Sequence, residues 1–206
     1  MDSTDHHHSA SPDGDIRASN DYHIQLMEKI AAGDMVAFEE LVEIHQHAVI
    51  GTVAKMLGSP NEAEDIAQQV FVRIWKSAKR YKPEAKFTTW MFTITRNLVF
   101  NETRRRQRKP SVSLEEREEE FHQVESDQSI GSPEDFALQS ELEKAIDEAI
   151  QALPEKQRTA VILRRYEELP YEEIAKVLGL SVSAVKSLLF RARAQLRESL
   201  EKYLEE

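Results

Sequence analysis

The feature of the sequence that most limits its fold is a pair of short amphipathic runs on either side of Gly179. Ile174 and Leu178 lie about one helical turn apart in the first run and predict its buried face. Glycine adopts the left-handed backbone conformation that a sharp turn requires, and Ser181 can cap the helix that follows. Residues 171–190 therefore predict a helix-turn-helix.

The second helix of this motif exposes a polar and basic face. Residues 181–197 hold four basic residues and no acidic one, although the chain carries a formal net charge of −10. A helix fits the major groove of DNA, where hydroxyl and cationic side chains contact base edges and phosphates. The candidate contacts are Ser181, Ser183, Lys186, Ser187 and Arg191. The alternative is an ordinary helix pair with a solvated basic face. It accounts for fewer of these positions, so we expect DNA binding.

Helical periodicity continues through most of the remaining chain, and no stretch alternates as a half-buried strand would. We therefore expect an all-α fold of two helical domains joined by a flexible acidic linker. The predicted parts are a disordered tail at 1–21, a first domain at 22–109, a linker at 110–135 and a second domain at 136–206. Within the first domain, the order Ser59, Pro60 predicts a helix that begins with Pro60 at its first position.

A second basic block, residues 101–110, follows shortly after four aromatic residues, Tyr81, Phe87, Trp90 and Phe92. Aromatic side chains beside basic ones suit unstacked, single-stranded DNA, because every base has a face on which an aromatic ring stacks. The alternative is that the aromatic residues only form core. For Trp90 we prefer that alternative.

Several other classes of protein are excluded. The chain has no cysteine, so it forms no disulfide and no cysteine-ligated metal site. It has neither a glycine-rich phosphate loop nor a nucleophile motif, so we expect no enzyme, no catalytic residue and no cofactor. His45 and His47 lack further ligands at metal spacing, so we interpret them as surface or packing residues and expect no metal. No apolar run could cross a bilayer and no signal peptide is evident, which predicts a cytoplasmic protein without membrane insertion.

Two groups of short motifs occur in order along the chain. The first comprises residues 65–71 (DIAQQVF), 87–91 (FTTWM) and 94–97 (ITRN), and the second comprises residues 153–158 (LPEKQR), 173–175 (EIA), 185–187 (VKS) and 191–193 (RAR). They resemble the second and fourth conserved regions of the sigma-70 family of bacterial RNA polymerase sigma factors. Two such regions without a third domain resemble the extracytoplasmic-function (ECF) type. The resemblance implies core RNA polymerase, promoter DNA and an anti-sigma factor as partners.

The resemblance also implies roles for individual residues. Polymerase binding falls on Asp65, Gln68, Gln69 and Phe71. The loop from Lys79 to Lys86 resembles the part that captures a flipped base of the minus-ten element. Contact with that element and DNA melting fall on Tyr81, Lys82, Phe87, Asn97, Arg104 and Arg105. The resemblance assigns contact with the minus-thirty-five element to Lys186, Ser187, Phe190 and Arg191, beside Ser181 and Ser183. Ala184 and Leu188 stand where Thr and Arg are frequent in the family, which leaves the promoter sequence open.

Two alternative functions stay open at this point, and so does the role of the acidic linker. A one-component regulator would use the same helix-turn-helix, with residues 22–106 as its sensor. An interaction protein that sequesters another factor would carry the basic helix incidentally. The acidic linker has two interpretations of its own: a stand-in for RNA in a basic polymerase channel, or a solvated tether.

Overall fold

The computed structural model describes residues 19–108 and 133–203, with side chains of the second range from residue 140 onward. The first range contains α1 (Asn20–Ala31), α2 (Met35–Leu57), α3 (Ala63–Ser77), a 3-10 turn (Ala78–Arg80) and α4 (Phe87–Arg108). The second contains α5 (Pro133–Ala152), α6 (Glu155–Arg165), α7 (Tyr171–Leu178), α8 (Val182–Ser199) and a 3-10 turn (Glu201–Tyr203). The described ranges contain no strand, and the all-α prediction is confirmed.

Three predicted boundaries need correction. Helix α1 begins at Asn20, with Ser19 as its cap, inside the segment predicted as a disordered tail. Helix α5 begins at Pro133, inside the segment predicted as linker, and proline suits the first position of a helix because it lacks an N–H to satisfy. Helix α3 begins at Ala63 and not at Pro60, which instead accepts a turn hydrogen bond from the Ala63 N–H at 2.9 Å. The predictions for most of the N-terminal tail and for residues 109–132 lie outside the described residues.

The helices of the first range start and stop at local signals. The Ser19 hydroxyl accepts a hydrogen bond from the Tyr22 N–H, and the Asp34 carboxylate accepts from the first turn of α2. Gly58 ends α2 with φ +66°, a conformation that side chains with a Cβ resist. A Cβ at this glycine would also lie 2.6 Å from the Gln151 side chain.

The apolar faces of α2, α3 and α4 pack on one another to form the core of the first range. Its fully buried side chains are Leu41, Val49, Val53, Val70, Ile74, Phe87 and Met91. Full burial of one such side chain contributes about 1.5–3 kcal/mol, which exceeds what helix propensity alone provides. The opposite face of α3 is exposed, whereas α4 also packs against α7 of the second range.

The second range forms the predicted helix-turn-helix. Gly179 takes φ +65° between α7 and α8, and Ser181 caps α8 by accepting a hydrogen bond from the Ala184 N–H at 3.2 Å. Ile174 and Val185 are fully buried beneath the turn. Leu188 is only half-buried, and its neighbour Leu189 is the better covered of the two.

The two ranges meet along a polar seam, formed by α2 and α4 on one side and by α6 and α7 on the other. The Thr89 hydroxyl donates to the Glu173 carboxylate, and the Thr52 hydroxyl donates to Glu167 at 2.5 Å. Burial raises the pKa of Glu167, against the lowering effect of that hydrogen bond. Burial also acts to raise the pKa of Glu173, but hydrogen bonds from Thr89 and Lys176 outweigh it and lower the pKa. The seam therefore depends on hydrogen bonds as much as on apolar contact.

Among the described helices, none is both long enough and apolar enough to span a membrane.

Candidate nucleic-acid and polymerase surfaces

One side of α8 presents a continuous exposed surface, which we call the α8 face: Ser183, Lys186, Ser187, Phe190 and Arg191. These positions recur every three or four residues, so their side chains line one side of the helix. Phe190 is 74% exposed, which is unusual for a phenyl ring and leaves it available for contact. The cap residue Ser181 lies at the start of this face, with its hydroxyl oxygen accepting from the helix backbone.

The two cations of the α8 face form no ion pair within the described part of the chain. Neither Lys186 nor Arg191 has a hydrogen bond or ion pair with another described residue, and the Ser187 hydroxyl donates only to the Ser183 carbonyl at 3.0 Å. A phosphate or a base edge could therefore approach both cations without displacing an internal partner.

Helix α3 exposes a second polar surface, the α3 face, which consists of Asp65, Gln68 and Gln69. Val72 lies one turn further on and is 50% exposed, which adds an apolar patch to this face. Phe71, which the resemblance places in the same role, is 7% exposed and belongs to the core beneath the face. A polar helix face with an apolar patch suits a protein partner better than a nucleic acid.

The residues predicted to melt DNA lie along α4 and the loop before it, in what we call the α4 strip. Tyr81 and Lys82 lie at one end, and Arg104 and Arg105 lie near the other. Helical rise places the two ends on the order of 25 Å apart, with exposed Asn97 between them. The structure therefore arranges the predicted residues as a track along one helix and not as a single pocket.

Aromatic packing dominates the loop end of the α4 strip. The rings of Tyr81 and Trp90 lie 4.8 Å apart, and Trp90 is half-buried. The Tyr81 hydroxyl is buried without a hydrogen-bond partner in the described part of the chain, and burial raises its pKa. Phe87 is fully buried, so the direct DNA contact predicted for it is not open to its ring, which supports the surface from below.

The basic end of α4 is partly neutralised by a carboxylate. Arg105 donates two hydrogen bonds to Glu102, each 2.7 Å long, and Arg106 bonds both Glu102 and Glu62. The hydrogen bond from Arg105 is the main reason that the pKa of Glu102 lies below its ordinary value. Arg104 has no hydrogen bond or ion pair among the described residues. Arg104 and Arg105 are both predicted to contact DNA, but only the Arg104 side chain is without a competing partner among the described residues.

Sequence reasoning missed a group of residues beneath the α4 strip. The Nε2 atoms of His23 and His45 lie 2.9 Å apart, and both rings pack on Phe87. Desolvation by burial, and then the neighbouring His23, lower the pKa of His45 to about 4. The Asn20 side chain accepts a hydrogen bond from the backbone of Phe87. No local pattern indicates these contacts, because they join residues far apart in the sequence.

A groove runs between α6 and α8 on the side away from the α8 face. Val161, Leu189 and Leu196 supply apolar lining, and Arg164, Arg165 and Arg193 supply positive charge. We call this the arginine groove. The lining suits an amphipathic helix whose apolar face is flanked by acidic residues, because the apolar face can pack on the leucines while the carboxylates meet the arginines.

Comparison with known proteins bears on both halves. Residues 41–109 match the family model described as Sigma-70 region 2, and residues 143–196 match the model described as Sigma-70, region 4. The chain is 35% identical over 184 residues to the RNA polymerase sigma-H factor of Pseudomonas aeruginosa, which covers 88% of this chain and 95% of that protein. It is 33% identical over 180 residues to the ECF RNA polymerase sigma factor SigW of Bacillus subtilis, with 84% and 94% covered.

Two solved structures have a similar fold. CnrH, in complex with the cytosolic domain of CnrY, superposes with a TM-score of 0.64 at 24% identity, and the match covers 87% of this chain and 97% of that one. The sigma factor RpoE from Bartonella quintana, in complex with the anti-sigma factor NepR, superposes with a TM-score of 0.59 at 23% identity, with 80% and 96% covered. At these identities the similarity concerns the fold alone.

Proposed function

Because this chain belongs to the sigma-70 family of RNA polymerase sigma factors, as a member of the ECF group, we propose that its surfaces divide promoter recognition as follows. The protein acts in promoter recognition and transcription initiation, as a DNA-binding regulator. We assign region 2 to residues 20–109 and region 4 to residues 133–206, with 110–132 between them. We place the activity in the cytoplasm, where bacterial RNA polymerase works.

The α8 face binds the minus-thirty-five element in this proposal. The observation that supports it best is the pair of cations without a partner among the described residues, Lys186 and Arg191, on the exposed side of the second helix of the helix-turn-helix. Such a helix enters the major groove, where a good bidentate base contact discriminates by about 1–3 kcal/mol. The exposed ring of Phe190 suits the methyl group of a thymine.

Two measurements without mutation test the overall proposal. Run-off transcription with core polymerase and the purified chain should give discrete start sites, and mapping them would define the promoter. In a gel shift, promoter DNA should be retarded strongly only when core polymerase is present. Strong retardation by the chain alone would favour a one-component regulator. Absence of both activities would favour a protein that sequesters another factor.

The α3 face binds core polymerase in this proposal, supported by the exposure of Asp65, Gln68 and Gln69 beside exposed Val72. Replacing Asp65 and Gln68 with Arg should abolish pull-down of core polymerase without unfolding the protein. A matched control carries the same charge change on exposed residues of other helices, Gln25→Arg with Glu39→Arg. Equal loss in both double variants would indicate a general charge effect and contradict the assignment.

The α4 strip contacts the minus-ten element and assists melting. Its support is the combination of a half-buried aromatic pair at the loop end and basic side chains at the other end. Single-stranded DNA needs both, since bases stack on rings and phosphates approach cations. Phe87 acts in this arrangement as packing beneath the surface, and Tyr81, Lys82, Asn97 and Arg104 make the contacts.

The arginine groove receives a protein partner. Both superposed proteins were solved with another protein bound, and NepR, the partner of the sigma factor RpoE, is described as an anti-sigma factor. We assign the groove to an anti-sigma factor whose bound helix is acidic and amphipathic. Replacing Arg165 and Arg193 with Glu should leave run-off transcription intact and abolish inhibition by the cognate anti-sigma factor. A loss of core binding in this variant would reassign the groove to the polymerase.

A further inference from the structure

Helix α1 lies before residue 41, where the match to Sigma-70 region 2 begins, yet it contacts the start of α4. The Asn20 Oδ1 atom accepts a hydrogen bond from the backbone N–H of Phe87 at 2.8 Å. Phe87 is the first residue of α4, and the first four N–H groups of a helix have no partner within the helix. Asn20 therefore caps α4 from another helix, across 67 positions of sequence.

His23, one turn further along α1, supports the same residue from the side. Its ring stacks on Phe87 with centroids 5.1 Å apart and an interplanar angle of 27°. The His23 ring is 2% exposed, and its Nε2 atom pairs with that of His45 on α2. The first residue of α4 is thus fixed in position by its backbone through Asn20 and by its side chain through His23.

The loop of residues 81–86 lies between two elements that α1 contacts. Helix α1 packs on the 3-10 turn that immediately precedes the loop, and it caps the helix that immediately follows. Within the loop, Tyr81 packs on Trp90 of the first turn of α4. A change in where α4 begins would therefore move the Tyr81–Trp90 pair.

We propose that Asn20 and His23 are positioning residues for the minus-ten surface: they fix the start of α4 and so hold the 81–86 loop in the shape that contacts DNA. The inference rests on the proposed function of the α4 strip. Neither residue touches DNA in this arrangement, since Asn20 is half-buried and His23 is buried.

The test uses full-length variants and two readouts. In a Trp75→Phe background, Trp90 is the only tryptophan, and quenching of its fluorescence by acrylamide reports the packing of the loop. Holoenzyme assembled with core polymerase is then titrated with the single-stranded non-template DNA of a promoter mapped by run-off transcription. Asn20→Ala removes the cap. Asn20→Asp keeps an acceptor and adds a charge that the start of a helix favours. Tyr22→Phe is the control, because it removes the hydrogen bond from the Tyr22 hydroxyl to Glu40 on α2 and leaves Asn20 and His23 in place.

Asn20→Ala should increase the quenching of Trp90 and weaken single-strand binding about five-fold, the factor that corresponds to loss of one helix cap. Asn20→Asp and Tyr22→Phe should stay near the parent protein in both readouts. His23→Ala should change both readouts in the same direction as Asn20→Ala, and His23→Phe, which retains a ring on Phe87, should restore them.

Four results separate the possible failures. Normal quenching in Asn20→Ala, or an Asn20→Asp variant as impaired as Asn20→Ala, would overturn the positioning inference. Changed quenching with normal strand binding would also overturn it, provided that Tyr81→Ala weakens strand binding. If Tyr81→Ala and Lys82→Ala both bind the strand normally, the proposed function of the α4 strip fails, and with it the inference about DNA.

Discussion

The two proposed DNA-binding surfaces differ in how far their side chains are committed to the protein itself. On the α8 face, Lys186 and Arg191 extend from an exposed helix without partners among the described residues. On the α4 strip, Arg105 is engaged by Glu102, and Tyr81 packs on Trp90. The α8 face consists of exposed side chains on one helix, whereas several side chains of the α4 strip also make contacts that stabilise the tertiary structure.

This difference has an energetic consequence. Substitutions on the α8 face should change DNA contact and leave folding alone, because exposed side chains contribute little to stability. Substitutions on the α4 strip change packing and DNA contact together. The two effects can be separated there only by variants that keep the packing and change the DNA contact, such as Glu102→Gln.

The largest effect is expected on the α8 face. Lys186→Ala combined with Arg191→Ala removes two contacts of about 1–3 kcal/mol each, so run-off transcription from a promoter that depends on its minus-thirty-five element should fall roughly thirty-fold or more. Core pull-down and the urea midpoint should not change. The matched control, Lys144→Ala with Lys156→Ala, removes the same charge from exposed positions of α5 and α6. Similar losses in both double variants would show that the effect is one of net charge.

The second prediction concerns the core beneath the α4 strip. The pKa of His45 is about 4 in the folded protein, against 6.5 when exposed, so the unfolded chain binds the proton more tightly. Stability is therefore complete above pH 6.5 and is lost as the pH falls towards 4, by about 3 kcal/mol in total. Urea unfolding between pH 7.5 and 4.5 measures this loss.

His45→Gln should flatten this pH dependence, and replacement of the exposed His47 by Gln should leave it unchanged. If the His45→Gln protein loses stability with acid as steeply as the parent, His45 is not the cause of the loss, and burial of His23, which also lowers the pKa of that ring, is the remaining source within the pair.

The sequence predicts the α8 face well because every determinant is local. The Gly179 turn, the Ser181 cap and the spacing of Lys186 and Arg191 all lie within fifteen residues, and the structure shows each of them where expected. The sequence predicts the α4 strip only in outline. The Asn20 cap joins residues 67 positions apart, and no periodicity within a single helix contains that information.

The helix start predicted at Pro60 shows a local signal that failed. Proline suits the first position of a helix, but it suits a turn equally well. The chain here forms a turn closed by the Ala63 N–H and begins the helix at Ala63. The burial of Ala63 and Ile66 against the core decides where α3 starts.

The third prediction tests whether the loop end of the α4 strip stacks on DNA. Tyr81→Ala removes a ring whose stacking on a base is worth about 1–3 kcal/mol, so initiation on duplex templates should fall about ten-fold. A template with a premelted bubble should lose much less. Tyr81→Phe should match the parent on both templates, because the hydroxyl has no partner in the described part of the chain. Equal defects of Tyr81→Ala on both templates would indicate loss of loop packing.

The smallest effect is expected from a substitution that frees Arg105 of the α4 strip from its carboxylate partner, so that it resembles the cations of the α8 face. Glu102 neutralises Arg105 through two hydrogen bonds of 2.7 Å, whereas Arg104 and the cations of the α8 face have no such partner within residues 19–108 and 133–203. Glu102→Gln should release Arg105 to the DNA. The slope of log affinity for minus-ten single strands against log salt should then steepen by about 0.7, the value for one added phosphate contact. Glu102→Asp retains a carboxylate and should keep the parent slope. The slope is the decisive measurement, because lost packing would lower affinity without changing the number of ions released. An unchanged slope in Glu102→Gln would mean that Arg105 lies too far from the phosphates to contact them, and that Arg104 alone supplies the charge at this end of the strip.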